Sequence, residues 1–365
     1  MTADPFILWL DQDGAPGNAL LGGKFANLAE MMAAGFAVPA GFGVTTAAYR
    51  HFMSRTGLET EAARVRQAAK STDLSKIKEL TADLVKGIQS AALPGDLEEA
   101  VRSNYAALEE KTGRDGVPVA VRSSGESEDL AGASFAGQYD TYLWISGTEA
   151  VLRDMRGCWA SMFGEAVLSY RHEGADAATV ADAAICVGIQ QMVEARAAGV
   201  MFTLDPLNGD RSKIVMEGCW GLGEGVVKGD VTPDRFTIDK VTFEIIKKDA
   251  AAQPEEYRFD PATGAVALLP VEPERRDAVC ITDAEALELA RLAKHIEERR
   301  GGAQDIEWAV DEKGAISVLQ VRPETVWSQR QNKGQMSKAK SPIDHVLQRL
   351  SGVRVATTPS WEDKP

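Results

Sequence analysis

At 365 residues and 44% hydrophobic, the chain can bury a sizeable core as one large bilobed domain or two to three small ones, which excludes a mini-protein or a disordered tail. Forty basic against 54 acidic residues leave a formal charge of −14. That balance argues against nucleic acid as a partner, because such binding rests on neutralising phosphates.

The predicted elements begin with a short apolar run at residues 6–10, too short for a signal segment, and no stretch approaches the roughly 20 apolar residues of a membrane span. A soluble, cytoplasmic protein without a membrane partner is expected. Phe25, Leu28, Met31 and Met32 share one helical face, so a helix opens at Gly22-Gly23-Lys24 and stops near Gly35. Residues 59–110 carry helical periodicity on both sides of a break at Leu93-Pro94-Gly95. A short strand is predicted at 117–121, opening into Arg122-Ser123-Ser124-Gly125, and a second at 138–145 after a small-residue loop. Helix returns over 148–172, and strand signals follow at 185–193, 199–203, 213–217 and 235–238. Thr282-Asp283-Ala284-Glu285 matches a capping box for a helix ending at Gly301-Gly302, ahead of strands at 304–310 and 315–322. The fold class read from this pattern is α+β or α/β, with residues 330–365 a tail.

The last hairpin makes a geometric prediction. Strand side chains alternate, so Asp305 and Glu307 share one face while Ile306, Trp308 and Val310 share the other. A two-residue turn at Lys313-Gly314 would set Glu307 opposite Gln320, Asp305 opposite Arg322 and Trp308 opposite Leu319. A carboxylate, an amide oxygen and a guanidinium on one face suit Mg²⁺ and a nucleoside triphosphate, or else form a solvated face with a cross-strand salt bridge. Lys24 at a helix start is read either as an anion ligand or as an ordinary solvated lysine, since the Walker spacing is absent. Arg122 either faces phosphate or pairs with Glu126, Glu128 or Asp129. The loop at 131–137, which ends in Gly137, is a phosphate cover or a plain connection, and Gly221-Leu222-Gly223-Glu224-Gly225 lacks the dinucleotide fingerprint's context. Cys158, Cys186, Cys219 and Cys280 have no metal spacing and read as buried thiols, while His51, His172, His295 and His345 form no catalytic constellation.

Taken in order, Gly22-Gly23-Lys24, Ala120-Val121-Arg122-Ser123-Ser124, Ser134-Phe135-Ala136-Gly137-Gln138, Gly199-Val200-Met201-Phe202-Thr203, Gly221-Leu222-Gly223-Glu224, Val231-Thr232-Pro233-Asp234, Asp305-Ile306-Glu307-Trp308 and Gln320-Val321-Arg322-Pro323 resemble the nucleotide-binding domain shared by phosphoenolpyruvate synthase, pyruvate phosphate dikinase and rifampin phosphotransferase. The resemblance covers about residues 15–327. It implies an α+β ATP-grasp fold whose two lobes, 1–190 and 191–329, close on ATP. By the same resemblance Lys24 and Arg122 hold phosphates, Gly137 and Thr141 lie in the loop over them, and Gln190 with the Met192 and Val193 backbone meets adenine. Glu307 and Gln320 would bind Mg²⁺, with Arg322 at the transferring group. Tyr139 and Lys228 depart from the family's usual residues.

Members of this family phosphorylate a histidine on a mobile domain, and no such histidine motif follows Trp327. The resemblance therefore implies an ATP-binding phosphotransferase subunit whose partner subunit carries the phosphohistidine domain, releasing AMP and Pi. Phenylphosphate synthase is the multi-subunit relative that fits, with phenol as final acceptor. The alternatives are a subunit serving pyruvate or another acceptor, and a non-catalytic ATP-sensing subunit.

Overall fold

The computed structural model describes residues 5–68, 74–125, 140–164 and 184–327. The chain divides into a unit Met1–Glu324 and a unit Thr325–Pro365. The expected loop residue Gly137, Tyr139, His172, His345 and the tail at 330–365 lie outside the described residues.

Two antiparallel sheets organise the larger unit. The first comprises β1 (Ile7–Trp9), β2 (Gly41–Val44), β3 (Val119–Gly125), β4 (Thr141–Ile145) and β5 (Ile185–Gln191), ordered β1-β2-β5-β3-β4. Alternation sorts its faces: Val119, Val121, Val187 and Ile189 point into a core with Phe52, Met155 and Trp159, while Ala120, Arg122, Gly188 and Gln190 point the other way. That core is closed by helices α2 (Thr46–Thr56), α3 (Leu58–Ala68), α4 (Leu74–Ser90), α5 (Gly95–Thr112) and α6 (Thr148–Ser161). The strand predicted at 117–121 extends to Gly125, so Arg122 lies within β3 instead of leaving it.

The second sheet is ordered β13-β12-β6-β7-β8-β9, from β6 (Ala195–Phe202), β7 (Lys213–Trp220), β8 (Asp234–Asp239), β9 (Ile245–Asp249), β12 (Gln304–Asp311) and β13 (Ile316–Pro323). Ile306, Trp308, Ile214, Met216 and Phe236 bury one face against α8 (Asp283–Arg300), which begins at the expected capping box. A two-stranded ribbon, β10 (Glu255–Asp260) with β11 (Ala265–Pro270), was not predicted, nor was β9. β9 and β10 are largely polar and β11, though apolar, is only half-buried, so none of them alternates between buried and exposed positions. The short helix α7 (Glu224–Lys228) lies between β7 and β8.

Helix α1 (Gly22–Ala33) wedges the sheets together. Phe25 packs against Gly188 of the first sheet, where a β-carbon would come within 1.8 Å of the ring. Phe25, Leu28 and Met31 also belong to the second sheet's core. At the start of α1, Gly22 has φ +65°, and a β-carbon there would stand 2.0 Å from the Ser124 carbonyl oxygen. Ser124 Oγ accepts from the Phe25 N–H at 3.1 Å, satisfying one orphan donor of the helix terminus. Two of the ordered motifs therefore meet here as a packing requirement. Burial also pushes the thiols of Cys186 and Cys280 up, and that of Cys219 up to about 12, as expected of inert cysteines.

Gly14 offers a control for this close approach, because it has φ +82° with nothing within 4 Å of a built β-carbon. Gly14→Ala should cost about 1 kcal/mol of stability and Gly22→Ala upward of roughly 3 kcal/mol, read from chemical denaturation. Equal losses would show that backbone conformation alone matters at Gly22.

Candidate nucleotide site

The site lies at the seam between the sheets, where β12 and β13 of the second face β3 and β5 of the first. In the hairpin, Glu307 pairs with Gln320 and Asp305 with Arg322, as the alternation predicted. The route to that register differs from the two-residue turn. Asp311 N–H donates to the Ala315 carbonyl across a three-residue loop, so pairing near the turn is shifted by one and Trp308 faces Val318, not Leu319. A bulge between Glu307 and Trp308 absorbs the shift. It restores the facing of Gln320 and Arg322.

Arg122 reaches across from β3 into this group. Its Nη1 donates to the Leu319 carbonyl at 3.1 Å, and its Nη2 donates to Gln320 Oε1 at 2.6 Å and Glu307 Oε2 at 3.4 Å. The partners are therefore on the opposite sheet, while Glu126, Glu128 and Asp129, the alternative partners read from the sequence, lie outside the described residues. Arg322 is braced by Asp305, with Nε and Nη2 at 2.8 and 2.7 Å from the same Oδ2. Burial pushes the Asp305 carboxyl above its usual range, and Arg322 draws it back only in part.

These groups line one cavity of about 480 Å³. Lys24, Arg122, Thr141, Gln190, Met192, Val193, Glu307, Gln320 and Arg322 all lie on its wall, and Asp305 joins them. Gln190 is buried, and among the described residues its Nε2 meets no hydrogen-bond partner. Beyond it, the Met192 N–H donates to the Pro118 carbonyl and the Val193 carbonyl accepts from the Ala195 N–H. A base reading this turn would use the Met192 carbonyl and the Val193 N–H.

The residues also fit a divalent cation. A single guanidinium nitrogen stands between Gln320 Oε1 and Glu307 Oε2, so the two oxygens converge on positive charge. Among the described residues no three His, Cys, Asp or Glu side chains cluster as a metal cage. Glu307 and Gln320 would hold a Mg²⁺ ion through one carboxylate and one amide oxygen, the hard oxygen ligands that such an ion takes.

The glycine-rich segment at 221–225, unremarkable by its pattern, proves to be part of the wall. Leu222, Gly223 and Glu224 line the cavity. Gly221, at φ +70°, lies 2.4 Å (β-carbon position) from the Tyr257 carbonyl, which accepts from the Leu222 N–H. The left-handed backbone and this contact with the ribbon, remote in sequence, together explain the glycine. The other end of the ribbon reaches β4, where Phe259 stacks on Trp144 at 5.5 Å, Trp144 having φ +60°. Asp234, by contrast, faces away from ligand chemistry: it is buried and accepts from the Ala251 and Cys280 N–H groups, tying the strand to its neighbours.

A family model described as the pyruvate phosphate dikinase AMP/ATP-binding domain matches residues 18–342. The probable phosphoenolpyruvate synthase of Staphylothermus marinus is 37% identical over 375 residues, covering 96% of this chain and 45% of that protein. The corresponding protein of Methanocaldococcus jannaschii is 40% identical over 321 residues, covering 88% and 27%. The prodigiosin synthesizing transferase PigC of Serratia marcescens is 40% identical over 305 residues, covering 84% and 31%. The chain thus spans less than half the length of these relatives. No helix among the described residues is long and apolar enough to cross a membrane.

Arg122→Lys tests the bridge between the sheets, because an ammonium cannot reproduce the fork to Leu319 and Gln320. ATP affinity should fall about tenfold and nucleotide-free stability by about 1 to 2 kcal/mol, read by titration calorimetry and chemical denaturation. An unchanged denaturation midpoint would show that the bridge adds nothing to the fold.

Proposed function

The chain belongs to the family of the pyruvate phosphate dikinase AMP/ATP-binding domain, an α+β ATP-grasp fold, and from that premise we propose that it is the ATP-binding subunit of a split dikinase-type phosphotransferase. The observation that carries the reading is the convergence of Lys24, Arg122, Gln190, Glu307, Gln320 and Arg322 on one cavity between two sheets. In this reading the lobes are 1–190 and 191–329, and the tail at 330–365 docks the partner.

Gln190, the Met192 carbonyl and the Val193 N–H receive adenine; Lys24 and Arg122 lie along the phosphates, with Thr141 and Gly137 over them. Arg122 moves from the Glu307 and Gln320 oxygens to the phosphate oxygens as nucleotide enters. When bound, Mg²⁺ at Glu307 and Gln320 neutralises phosphate charge. Arg322, pre-aimed by Asp305, stabilises charge on the transferring phosphoryl group. A histidine imidazole of the partner subunit is the acceptor. Two phosphoanhydride bonds break in all: one phosphoryl group ends on the imidazole nitrogen and the other on water as Pi, leaving AMP.

The final acceptor is phenol in the first reading, by analogy with phenylphosphate synthase. The names of the synthase relatives favour a second, in which the phosphohistidine serves phosphoenolpyruvate formation.

Incubation with labelled ATP and the histidine-bearing domain of a full-length synthase should yield AMP, Pi and acid-labile phosphohistidine in equal amounts. Arg322→Ala should slow this by at least about a hundredfold. ADP as sole product, or turnover indifferent to Arg322→Ala, would overturn the reading; adding phenol or pyruvate then separates the two acceptors.

A further inference from the structure

Strand β4, at the edge of the first sheet, is irregular at Trp144. Val119 pairs with Ile145 and Val121 with Tyr142, so Leu143 and Trp144 together stand against Ala120 in a bulge. Trp144 has φ +60°, the left-handed region that favours glycine and that a bulky side chain enters at a cost. The bulge also breaks the strand's alternation. Tyr142 and Ile145 both pack on the first sheet's core, Leu143 lines the cavity, and the Trp144 ring lies on Phe259 of the ribbon, centroids 5.5 Å and planes 15° apart.

The two ends of the ribbon are held unequally. At its root the Leu222 N–H donates to the Tyr257 carbonyl at 2.9 Å, and Tyr257 Oη donates to Asp230 Oδ2 at 2.7 Å. Lys228 Nζ lies over the Tyr257 ring, and buried Glu256 meets Arg275, whose guanidinium lies 4.1 Å above Trp220. At the tip, no hydrogen bond or ion pair among the described residues joins the ribbon to β4, and the ring pair makes the contact. The gain from one aromatic pair is of the same size as the cost of a left-handed residue, so this end closes with little surplus. It is therefore the end that releases. The ribbon also ties two walls of the cavity from outside: Leu222 and Leu143 both line it, whereas none of residues 255–270 does.

We infer that the ribbon is a strap, closed by Trp144 on Phe259, which sets how fast nucleotide enters and leaves without touching it. Parting β4 from the wall at 222–227 breaks the stack, and the strain stored at Trp144 is then free to relax, which makes the closure reversible. The inference rests on the cavity being the nucleotide site.

Stopped-flow fluorescence of the full chain with methylanthraniloyl-ATP and Mg²⁺ tests it. Phe259→Leu keeps an apolar side chain but removes the ring. Association and dissociation should both quicken by roughly two- to tenfold, the worth of one aromatic pair, with Kd held within about twofold as a report of an intact cavity. Phe259→Tyr should restore the wild-type rates. The four native cysteines are buried, so Trp144→Cys combined with Phe259→Cys gives a pair that a short bismaleimide can join after nucleotide is loaded. Joining should slow dissociation at least about tenfold relative to the same variant unjoined. Unchanged rates in Phe259→Leu, faster dissociation alone with weakened binding, or free exchange from the joined chain would overturn the strap and leave the nucleotide site standing. A wild type that binds no nucleotide removes the site and the strap together.

Discussion

One hairpin must satisfy two opposed environments. Its inner face buries Ile306, Trp308 and Val310 against α8, and its outer face holds Asp305, Glu307, Gln320 and Arg322 at the cavity. Because facing alternates along a strand, a slip of one residue would exchange the two sets. The three-residue loop after Asp311 imposes such a slip, and the bulge at Glu307 and Trp308 cancels it. Without the bulge, a guanidinium would enter the α8 core at a cost of several kcal/mol. The site's register is thus enforced by what lies behind it.

The seam in front of that hairpin depends on charge spanning two sheets. Arg122 ties β3 to β13, and behind it the Asn27 amide donates to the Val321 carbonyl while Arg300 bonds Glu30 and Asn27. Helix α1 belongs to the second sheet's core and presses Phe25 on Gly188 of the first sheet, so the sheets are packed as well as bridged. The pair of Asp305 and Arg322 shows the tension in such a place: burial works against the carboxylate, and its partner offsets part of that penalty. Groups held in this manner are aimed before a ligand arrives, and pre-aimed charge is what phosphoryl transfer uses.

Much of the motif sequence serves shape. Gly22 and Gly188 are glycines because the Ser124 backbone and the Phe25 ring occupy the space of a side chain, and Asp234 spends its carboxylate on two backbone donors. The wall opposite the hairpin is built likewise, from Gly221 pressed on Tyr257 and from Lys228 held between Glu224 and that ring.

What the sequence by itself determined was local or ordered: the α1 face, the break at Leu93-Pro94-Gly95, the capping box at Thr282, and the shared facing of Asp305 with Glu307 and of Gln320 with Arg322. These depend on periods of 3.6 and 2 and on cap chemistry, all short-range. The ordered motifs also named nine residues that the fold brings to one cavity, though alternation and spacing alone had left Lys24 and Arg122 ambiguous. Only the tertiary structure decided that Arg122 pairs across to Glu307 and Gln320, that a bulge sets the hairpin's register, and that Gly221 through Glu224 close the cavity under a ribbon some thirty residues away. Such choices depend on which surfaces meet when separate elements pack. A one-dimensional pattern does not contain that information, because the partner of a polar side chain is fixed by the burial of apolar residues elsewhere in the chain.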